Sequence, residues 1–532
     1  MSQHFLGRGL GLFTAATLAL TPVTAPATAQ TPKRGGILNY AITTEPPNYD
    51  CHGNTNYGVS QAISAHYSRL LKSDGDWRNL TIVGDVAESF EISPDRLTFT
   101  FKLRPGIKFH DGTTLTSTDV RATYERLIKP PPGVLSARQA LFSDIAAIET
   151  PDDQTIIFKL SAQNAGMLDA FASPWNCIYS AAKLKENPKY PETNVMGTGA
   201  FTFVQHVKGQ SWEGKRFEGY FRPGRPYLDG YKAFFIKSAA LATGIAGGQF
   251  DIEFRGVTPS ERDRMLEQMK DNAIVLEAPW TSTLIVTLNN KRKPFDDLRV
   301  RQALTHAIDR WGGSQSISRI SLMKHVGGFL RTGYELALPP EELEKLPGFW
   351  RDIDKARDEA RRLLKAAGVS SLKIVLLNRD TPQPYTPTSV FVIDQWRRIG
   401  VEVEHRQIDP KAYYDAISRG DFDAAIDFLS DFSDDPNLHY IRLLSDGQSP
   451  VSYAQHSDKG LDELFEKQKR STSLAERRQF TNDFERRALT GAYNLPLFWW
   501  QRIVVHHKKI KGWNMLPSHN NGLDFADVWL DQ

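Results

Sequence analysis

The sequence predicts an α/β protein built from more than one domain. Between residues 354 and 430, short strand-like apolar runs alternate with amphipathic helical segments, as in an α/β lobe. Residues 78–190 combine two strand pairs with a helix, which is typical of a compact α+β subdomain. The chain has 532 residues, and domains average about 150, so the length favours several domains.

The N-terminal segment has the organisation of a secretory signal peptide. Arg8 precedes an apolar stretch at residues 10–20, and the small residues Ala27-Thr28-Ala29 follow it. The apolar stretch is about eleven residues long, too short to span a bilayer. We therefore expect residues 1–29 to be removed and the mature protein to be exported in soluble form. The alternative interpretation is a buried N-terminal helix.

In the first half of the mature chain, strands are predicted from alternating apolar residues and turn signals. These strands lie at 37–42, 86–92, 97–103, 145–160 (a pair around the turn at 151–153), 197–204, 231–236 and 250–254. Helical spacing of apolar residues predicts helices at 59–71 and 120–128.

The second half begins with a long β run at 280–289, which we expect to cross into another lobe. The segment 354–367 predicts the most amphipathic helix, with Ala360 and Leu364 on its apolar face and Gly368 as its stop. The other predicted helices lie at 299–310, 388–398, 460–470 and 474–489, and the strands at 372–377, 401–404 and 422–428. Residues 494–505 are apolar and aromatic.

Composition excludes several classes of protein. The chain has 65 basic and 62 acidic residues, a formal charge of +3, so charge provides no basis for binding nucleic acid or an anionic membrane. Only two cysteines occur, Cys51 and Cys177, which excludes a multi-cysteine metal or iron–sulfur site. In an oxidising compartment they could form a disulfide or remain two buried thiols, and spacing does not decide between these.

Motifs of extracytoplasmic enzymes are absent from the sequence. It contains no H-E-x-x-H zinc motif, no G-x-S-x-G nucleophile elbow and no phosphate-binding loop. Ser180 and Lys183 match S-x-x-K, but the companion motifs of serine acyl-enzymes are missing. His506 and His507 are neighbours in a β stretch, where they point to opposite faces. We therefore expect a protein that is not an enzyme, with no catalytic residue, no metal site and no cofactor.

One stretch resembles a known family. Residues 84–127 contain Ala87-Glu88-Ser89-Phe90, then Phe109-His110-Asp111-Gly112 and Thr118-Asp119-Val120. These pieces resemble the signature of the family 5 extracellular solute-binding proteins, the peptide, dipeptide and nickel receptors of ABC importers. Later segments resemble the family's motifs in the same order, and they lie at 196–201, 293–310, 360–368 and 399–401.

The resemblance implies a periplasmic-binding-protein fold of two α/β lobes joined by a hinge, with an extra α+β subdomain on the first lobe. Lobe one would comprise residues 30–279 and 503–532, with the subdomain at 78–190, and lobe two residues 280–502. The implied protein is a periplasmic monomer that closes on a peptide or peptide-like solute and presents it to an ABC permease in the inner membrane. Alternatives are a receptor of this fold for a metal chelate, opine or sugar-like solute, a secreted hydrolase, and a chaperone or docking protein.

The resemblance also suggests which residues bind the ends of a peptide. Asp431 lies in a loop similar to the W-x-x-D-Y-x-D-P loop, whose first Asp binds the α-amine in peptide-binding members. Gln383 stands where dipeptide receptors can carry a carboxylate-binding Arg. Arg379, four residues earlier, could bind a carboxylate instead.

Aromatic residues are the expected walls of the ligand site, because they bury a large area with few torsions. Each of them could equally be an ordinary core residue. The candidates are Trp175, Trp280, Tyr385, Phe432, Trp499 and Trp500.

Overall fold

The computed structural model describes residues 31–381 and 383–532. The predicted signal peptide at 1–29 lies outside the described residues. Within the described ranges, none of the helices combines the length and the apolar character needed to cross a membrane.

The N-terminal part of the chain builds the sheet of lobe one. Strand β1 (Ile37–Ile42) is followed by helix α1 (Tyr57–Ile63), whose Asn56 side chain caps the first turn, and by a short 3-10 turn. A hairpin of β2 (Leu71–Gly75) and β3 (Leu80–Gly84) then leads into the subdomain.

The subdomain contains a four-stranded antiparallel sheet in the order β4-β5-β7-β6. Its core combines aliphatic and aromatic residues, and Phe101, Phe158 and Phe171 contact one another edge to face or tilted. The elements are β4 (Ala87–Ile92), β5 (Thr98–Leu103), α2 (Ser117–Ile128), β6 (Ile145–Asp152), β7 (Thr155–Leu160), α3 (Met167–Phe171), α4 (Ala181–Glu186) and α5 (Tyr190–Thr193).

The chain then returns to lobe one and completes a five-stranded sheet in the order β11-β1-β10-β9-β8. In this sheet β1 runs parallel to both β10 and β11, while β8, β9 and β10 are antiparallel. The elements are β8 (Phe201–Val207), β9 (Ser211–Arg216), β10 (Gly230–Phe235), α6 (Ser238–Ala246), β11 (Ile252–Glu253) and α7 (Pro259–Met269).

Lobe two is built on a six-stranded mixed sheet in the order β13-β17-β12-β16-β14-β15. The elements are β12 (Ala273–Leu288), α8 (Leu298–His306), α9 (Arg310–Ile317), β13 (Met323–His325), α10 (Pro340–Leu343), α11 (Ile353–Ala366), β14 (Leu372–Arg379), α12 (Tyr385–Arg397), β15 (Val401–Ile408), α13 (Pro410–Arg419), β16 (Ala424–Ser430), α14 (Pro436–Tyr440), α15 (Lys459–Arg470), α16 (Leu474–Gly491) and β17 (Asn494–His507). Two short strands, β18 (Ile510–Lys511) and β19 (Trp529–Leu530), pair near the C-terminus.

Strands β12 and β17 pair side by side and pass through both lobes. Their register shifts between Pro279 and Thr283. Before the shift Val504 packs in the core of lobe one, and beyond it Leu495 packs in the core of lobe two. This change of core supports the boundaries that we propose, with lobe one at 30–279 and 503–532, its subdomain at 78–190, and lobe two at 280–502.

Two predicted helices are shorter than expected. The helix predicted at 59–71 ends by His66, because residues 69–70 are extended and accept backbone hydrogen bonds from residues 85–87. Buried apolar residues satisfy helical and extended patterns equally well over such a short run. The helix predicted at 299–310 ends at His306, and Asp309 caps the next helix by accepting from the Gly312 backbone N–H at 2.8 Å.

Cys51 and Cys177 form a disulfide that joins the segment before α1 to the segment after α3. The sequence had left a bridge and two separate thiols open. Both residues are buried in the core of lobe one.

Candidate ligand-binding site

Two of the regions where the lobes meet differ in character. We call the first the aromatic seam, and its members come from both lobes. It comprises Tyr57, Arg255, Trp280, Trp500 and His519. We call the second the polar seam, and it joins the subdomain to lobe two. It comprises Asp144, Asn164, Gly166 and Asp169 on the subdomain, facing Ser433, Asp435, Asn437, Lys469, Arg470 and Arg477.

The aromatic seam lies at the strand crossing between the lobes. Trp280 lies within the register shift on β12, and its ring contacts Trp500 of β17 edge to face at 5.1 Å between centroids. His519 contacts the other side of Trp280 at 5.1 Å and Tyr57 at 5.7 Å. The sequence predicted Trp280 and Trp500, and the structure brings them together.

Tyr385 extends the aromatic seam into lobe two. Its ring centroid lies 6.4 Å from that of Trp500, and the Arg379 guanidinium stacks over it at 4.4 Å. Arg379 is buried and already has protein partners. It donates to the Tyr414 hydroxyl at 2.6 Å and lies 3.6 Å from Asp427. These contacts leave Arg379 less available for a ligand carboxylate than an unpaired cation would be.

Asp431 follows β16, close to the end of the aromatic seam. Its backbone oxygen accepts from the Thr281 hydroxyl at 2.7 Å, next to Trp280. One carboxylate oxygen accepts from the Phe432 backbone N–H at 2.8 Å, and no side chain of the described residues forms an ion pair with it. Asp431 therefore presents a negative charge that protein contacts only partly satisfy.

Phe432 and Trp175 lie on the lobe-one side of Asp431. Phe432 packs in the core of lobe one, and its backbone oxygen accepts from Asn521 at 2.9 Å. The guanidinium of Arg138 stacks on Trp175 at 4.2 Å. Burial lowers the pKa of Arg138 to about 10, and the negative charge of Asp431 opposes that shift. The arrangement places a cation and a carboxylate on opposing lobes.

Trp499 and Gln383 lie away from the aromatic seam. Adjacent residues of a strand point to opposite faces, so Trp499 points away from Trp500 and donates to the Gly328 backbone oxygen at 3.0 Å. Gln383 donates to the Ile320 backbone oxygen at 3.1 Å. For both residues a direct role in the ligand site stays a prediction.

Sequence reasoning missed four residues that the structure brings to this region, namely Tyr57, Arg138, Arg255 and His519. Arg255 and His519 lie in irregular segments without a motif, so no local pattern marked them. The alternating strand that ends at Phe254 was the one available signal for Arg255, because residues at strand ends often line sites between lobes.

The polar seam is held by pairs of opposite charge and by amides. The Asp144 carboxylate lies 2.9 Å from Lys469 and 2.8 Å from Arg470. Asn437 donates to Asn164 at 3.0 Å, and the Ser433 hydroxyl donates to Asp169 at 2.7 Å. Few of its charges are left for a ligand.

Glycine permits the close approach at the polar seam. A Cβ atom on Gly166 would lie 2.5 Å from the Asn437 amide nitrogen and 2.7 Å from an Asp435 carboxylate oxygen. Arg477 in turn donates to Asp435 at 2.9 Å. The subdomain and lobe two therefore touch through a backbone that has no room for a side chain.

Within residues 31–381 and 383–532, no three His, Cys, Asp or Glu side chains are placed to hold a metal ion together. The contacts that the structure shows at the two seams are aromatic contacts, hydrogen bonds and ion pairs.

Comparisons with known proteins agree with this architecture. The glutathione-binding protein GsiB of Pectobacterium atrosepticum is 30% identical over 261 residues, which are 48% of this chain and 48% of that protein. The chain thus matches about half the length of this curated relative.

Solved structures match over nearly the whole chain. The periplasmic binding protein DppA of Helicobacter pylori, in complex with the peptide STSA, has a TM-score of 0.79 at 23% identity over 94% of this chain and 99% of that one. The PBP AgaA of A. tumefaciens R10, in complex with agropinic acid, has a TM-score of 0.79 at 24% identity over 93% and 99%. Both likenesses confirm the predicted two-lobed fold.

The family model of the bacterial extracellular solute-binding proteins, family 5, matches residues 81–450, well over half of the chain. The match includes the motif stretch at 84–127 and ends within lobe two. The chain therefore belongs to the family 5 bacterial extracellular solute-binding proteins.

Proposed function

We propose that this protein is the exported receptor of an ABC importer, and that it captures a peptide or peptide-like solute between its lobes. The observation that carries the proposal is the aromatic seam, where rings from both lobes pack against one another close to the incompletely paired Asp431. A ligand that contacts both lobes stabilises the closed arrangement by its differential contacts there.

A peptide suits this site on physical grounds. Aromatic walls accommodate apolar side chains of different shapes, and a carboxylate such as Asp431 offsets the cost of burying an α-ammonium group. The relatives support the same class, since one is named for glutathione binding and one structure contains the peptide STSA. We further propose that the receptor works as a periplasmic monomer, catalyses no reaction on its ligand, and hands it to a permease in the inner membrane.

Native mass spectrometry of the exported protein, followed by calorimetry, tests this function. We expect the purified protein to retain a small ligand, and the emptied protein to bind peptides from an enzymatic casein hydrolysate without cleaving them. Turnover of the peptides would contradict the proposal, and so would failure to bind any component of the hydrolysate.

A further inference from the structure

Arg255 is a cation without a protein partner at the centre of the aromatic seam. Its Cζ atom lies 5.2 Å from the ring centroid of Tyr57, 5.5 Å from that of Trp280 and 5.9 Å from that of Trp500. Within the part of the chain that the structure describes, its guanidinium forms no ion pair and donates no hydrogen bond, while its backbone N–H does. Its five donors are therefore available to a ligand.

The backbone holds Arg255 in place while the side chain stays free. The Glu253 carboxylate accepts from the backbone N–H groups of Arg255 at 2.9 Å and Gly256 at 2.5 Å. Gly256 has a φ of +140°, a conformation that favours glycine. Arg502 donates to the backbone oxygen of Arg255 at 3.2 Å. A turn fixed in this way orients the guanidinium without using any of its donors.

The neighbours of Arg255 add further donors. The indole N–H of Trp280 donates to Nδ1 of His519 at 3.2 Å, so in the neutral ring Nε2 carries the proton. Burial, together with the positive charges of Arg255 and Arg502, holds the pKa of His519 well below its usual range and keeps the ring neutral. The Trp500 indole N–H is buried and has no acceptor among the described residues.

Arg255, His519 and Trp500 each offer a hydrogen-bond donor, and the Arg255 guanidinium is also positively charged. A guanidinium in a seam that loses water as the lobes close needs an anionic partner. Its planar fork matches a carboxylate, which it can bind through two parallel hydrogen bonds.

Resting on the proposed function, we propose that Arg255, assisted by His519 and Trp500, is the carboxylate-binding subsite of this receptor, so that its ligands carry a free carboxylate. The subsite is built mainly from lobe one. It would replace an arginine at Gln383 of lobe two, and it differs from Arg379, which already donates from its two terminal nitrogens to the Tyr414 hydroxyl and the Ile426 backbone oxygen.

The test compares binding of a casein hydrolysate with binding of the same hydrolysate after methyl esterification of its carboxylates. The proteins are wild type, Arg255→Gln, Arg255→Lys and the control Arg264→Gln, which removes an exposed arginine of helix α7 in the same lobe. We expect wild type and Arg264→Gln to bind the free acids alone. Arg255→Gln should lose about 10- to 100-fold in affinity, and Arg255→Lys less, because lysine keeps the charge without the fork.

A merely structural role for Arg255 would appear in the ligand-free protein. Because its guanidinium forms no ion pair and no hydrogen bond with the described residues and contacts the three rings only at 5.2–5.9 Å, the melting temperature of ligand-free Arg255→Gln should stay close to that of wild type. The bound peptides, once identified by mass spectrometry, are resynthesised with an amidated C-terminus or with their acidic side chains replaced by amides. If amidation of the C-terminus abolishes the difference in affinity between wild type and Arg255→Gln, the subsite binds the terminal carboxylate. If replacement of the acidic side chains abolishes it, the subsite binds a side-chain carboxylate.

The subsite would be overturned if wild type bound free and esterified peptides equally, or if Arg255→Gln bound them with wild-type affinity. Either result would leave the proposal of peptide binding intact. Failure of wild type to bind either hydrolysate would overturn the proposed function together with the subsite.

Discussion

The aromatic seam and the polar seam both join the lobes, but they differ in how far their polar groups are satisfied. In the polar seam, Asp144 has two cationic partners and Asn437 pairs with Asn164. In the aromatic seam, Arg255 and the Trp500 indole lack partners among the described residues. Contact between the lobes alone therefore does not identify a ligand site. Hydrogen-bond donors and acceptors that stay unsatisfied at the contact are the better indicator, because burying a polar group without a partner is costly.

The largest effect is expected from breaking the polar seam at Gly166. Its φ of −91° suits any residue. A side chain at this position should therefore cost little free energy as long as the lobes are open. Gly166→Val should hold the subdomain away from Asn437 and Asp435, and lower peptide affinity by about 100-fold or more, because closure would require an overlap. Calorimetry measures the change in affinity, and small-angle scattering measures whether the lobes close in the presence of peptide.

The control for this variant is Ala147→Val, which adds the same branched group at an exposed position of β6 in the same subdomain. It should bind and close as wild type does. If Gly166→Val also closed around its ligand with unchanged affinity, the polar seam would have no part in closure.

An intermediate effect is expected at Asp431, on the lobe-two side of the aromatic seam. Asp431→Asn should reduce affinity for peptides with a free α-amine by about 10- to 100-fold, because an ammonium group loses its charged acceptor. N-acetylated forms of the same peptides should show no such loss. Calorimetric titration of both forms makes the measurement.

Asp421→Asn is the matched control, since Asp421 is an exposed acid of lobe two whose ion pair with Arg292 at 3.3 Å contributes little. An equal loss for free and acetylated peptides in Asp431→Asn would remove Asp431 from amine binding.

The smallest effect is a pH dependence that arises at Asp169. Burial and the nearby Asp435 carboxylate raise the pKa of Asp169 to about 7 where the subdomain contacts lobe two, whereas Ser433 and Arg477 oppose the rise and Asp434 adds to it. Opening removes these lobe-two neighbours, so its pKa falls towards the ordinary value near 4. At a pH between these two pKa values the closed state binds more protons than the open state. Peptide affinity should therefore fall as pH rises from about 4 to about 7.

Asp169→Asn keeps the hydrogen-bonding shape without the titration. At pH 8 it should bind peptide about 3- to 10-fold more tightly than wild type, a modest factor because Asp169 is partly exposed. Its affinity should vary less between pH 5 and 8. An identical pH profile for the variant and wild type would show that Asp169 does not titrate with closure.

Much of the fold could be predicted from the sequence because the cues are local. The amphipathic segment at 354–367 forms α11, Ile353–Ala366, and the motif stretch at 84–127 lies in the subdomain. Alternation at 97–103 matches β5 closely. The helix predicted at 59–71 was too long, because residues 69–70 form backbone hydrogen bonds with residues 85–87, which the local pattern does not show.

The site could be predicted only where a residue lay beside a motif. Asp431 and Trp280 were predicted from a loop resemblance and from a position at the crossing strand, and their contact with a ligand stays a prediction. Arg255 and His519 lie more than 200 residues apart in the sequence, and nothing local encodes that both contact the ring of Trp280. Whether an arginine such as Arg379 is engaged by its neighbours is likewise a property of tertiary packing.

A crystal structure of the protein with a bound peptide from the hydrolysate would show whether Arg255 and Asp431 hold the two ends of the ligand. We expect closed lobes, a ligand carboxylate within about 3 Å of the Arg255 guanidinium, and the ligand amine beside Asp431. A peptide whose carboxylate is held by Arg379, or one bound outside the aromatic seam, would contradict it.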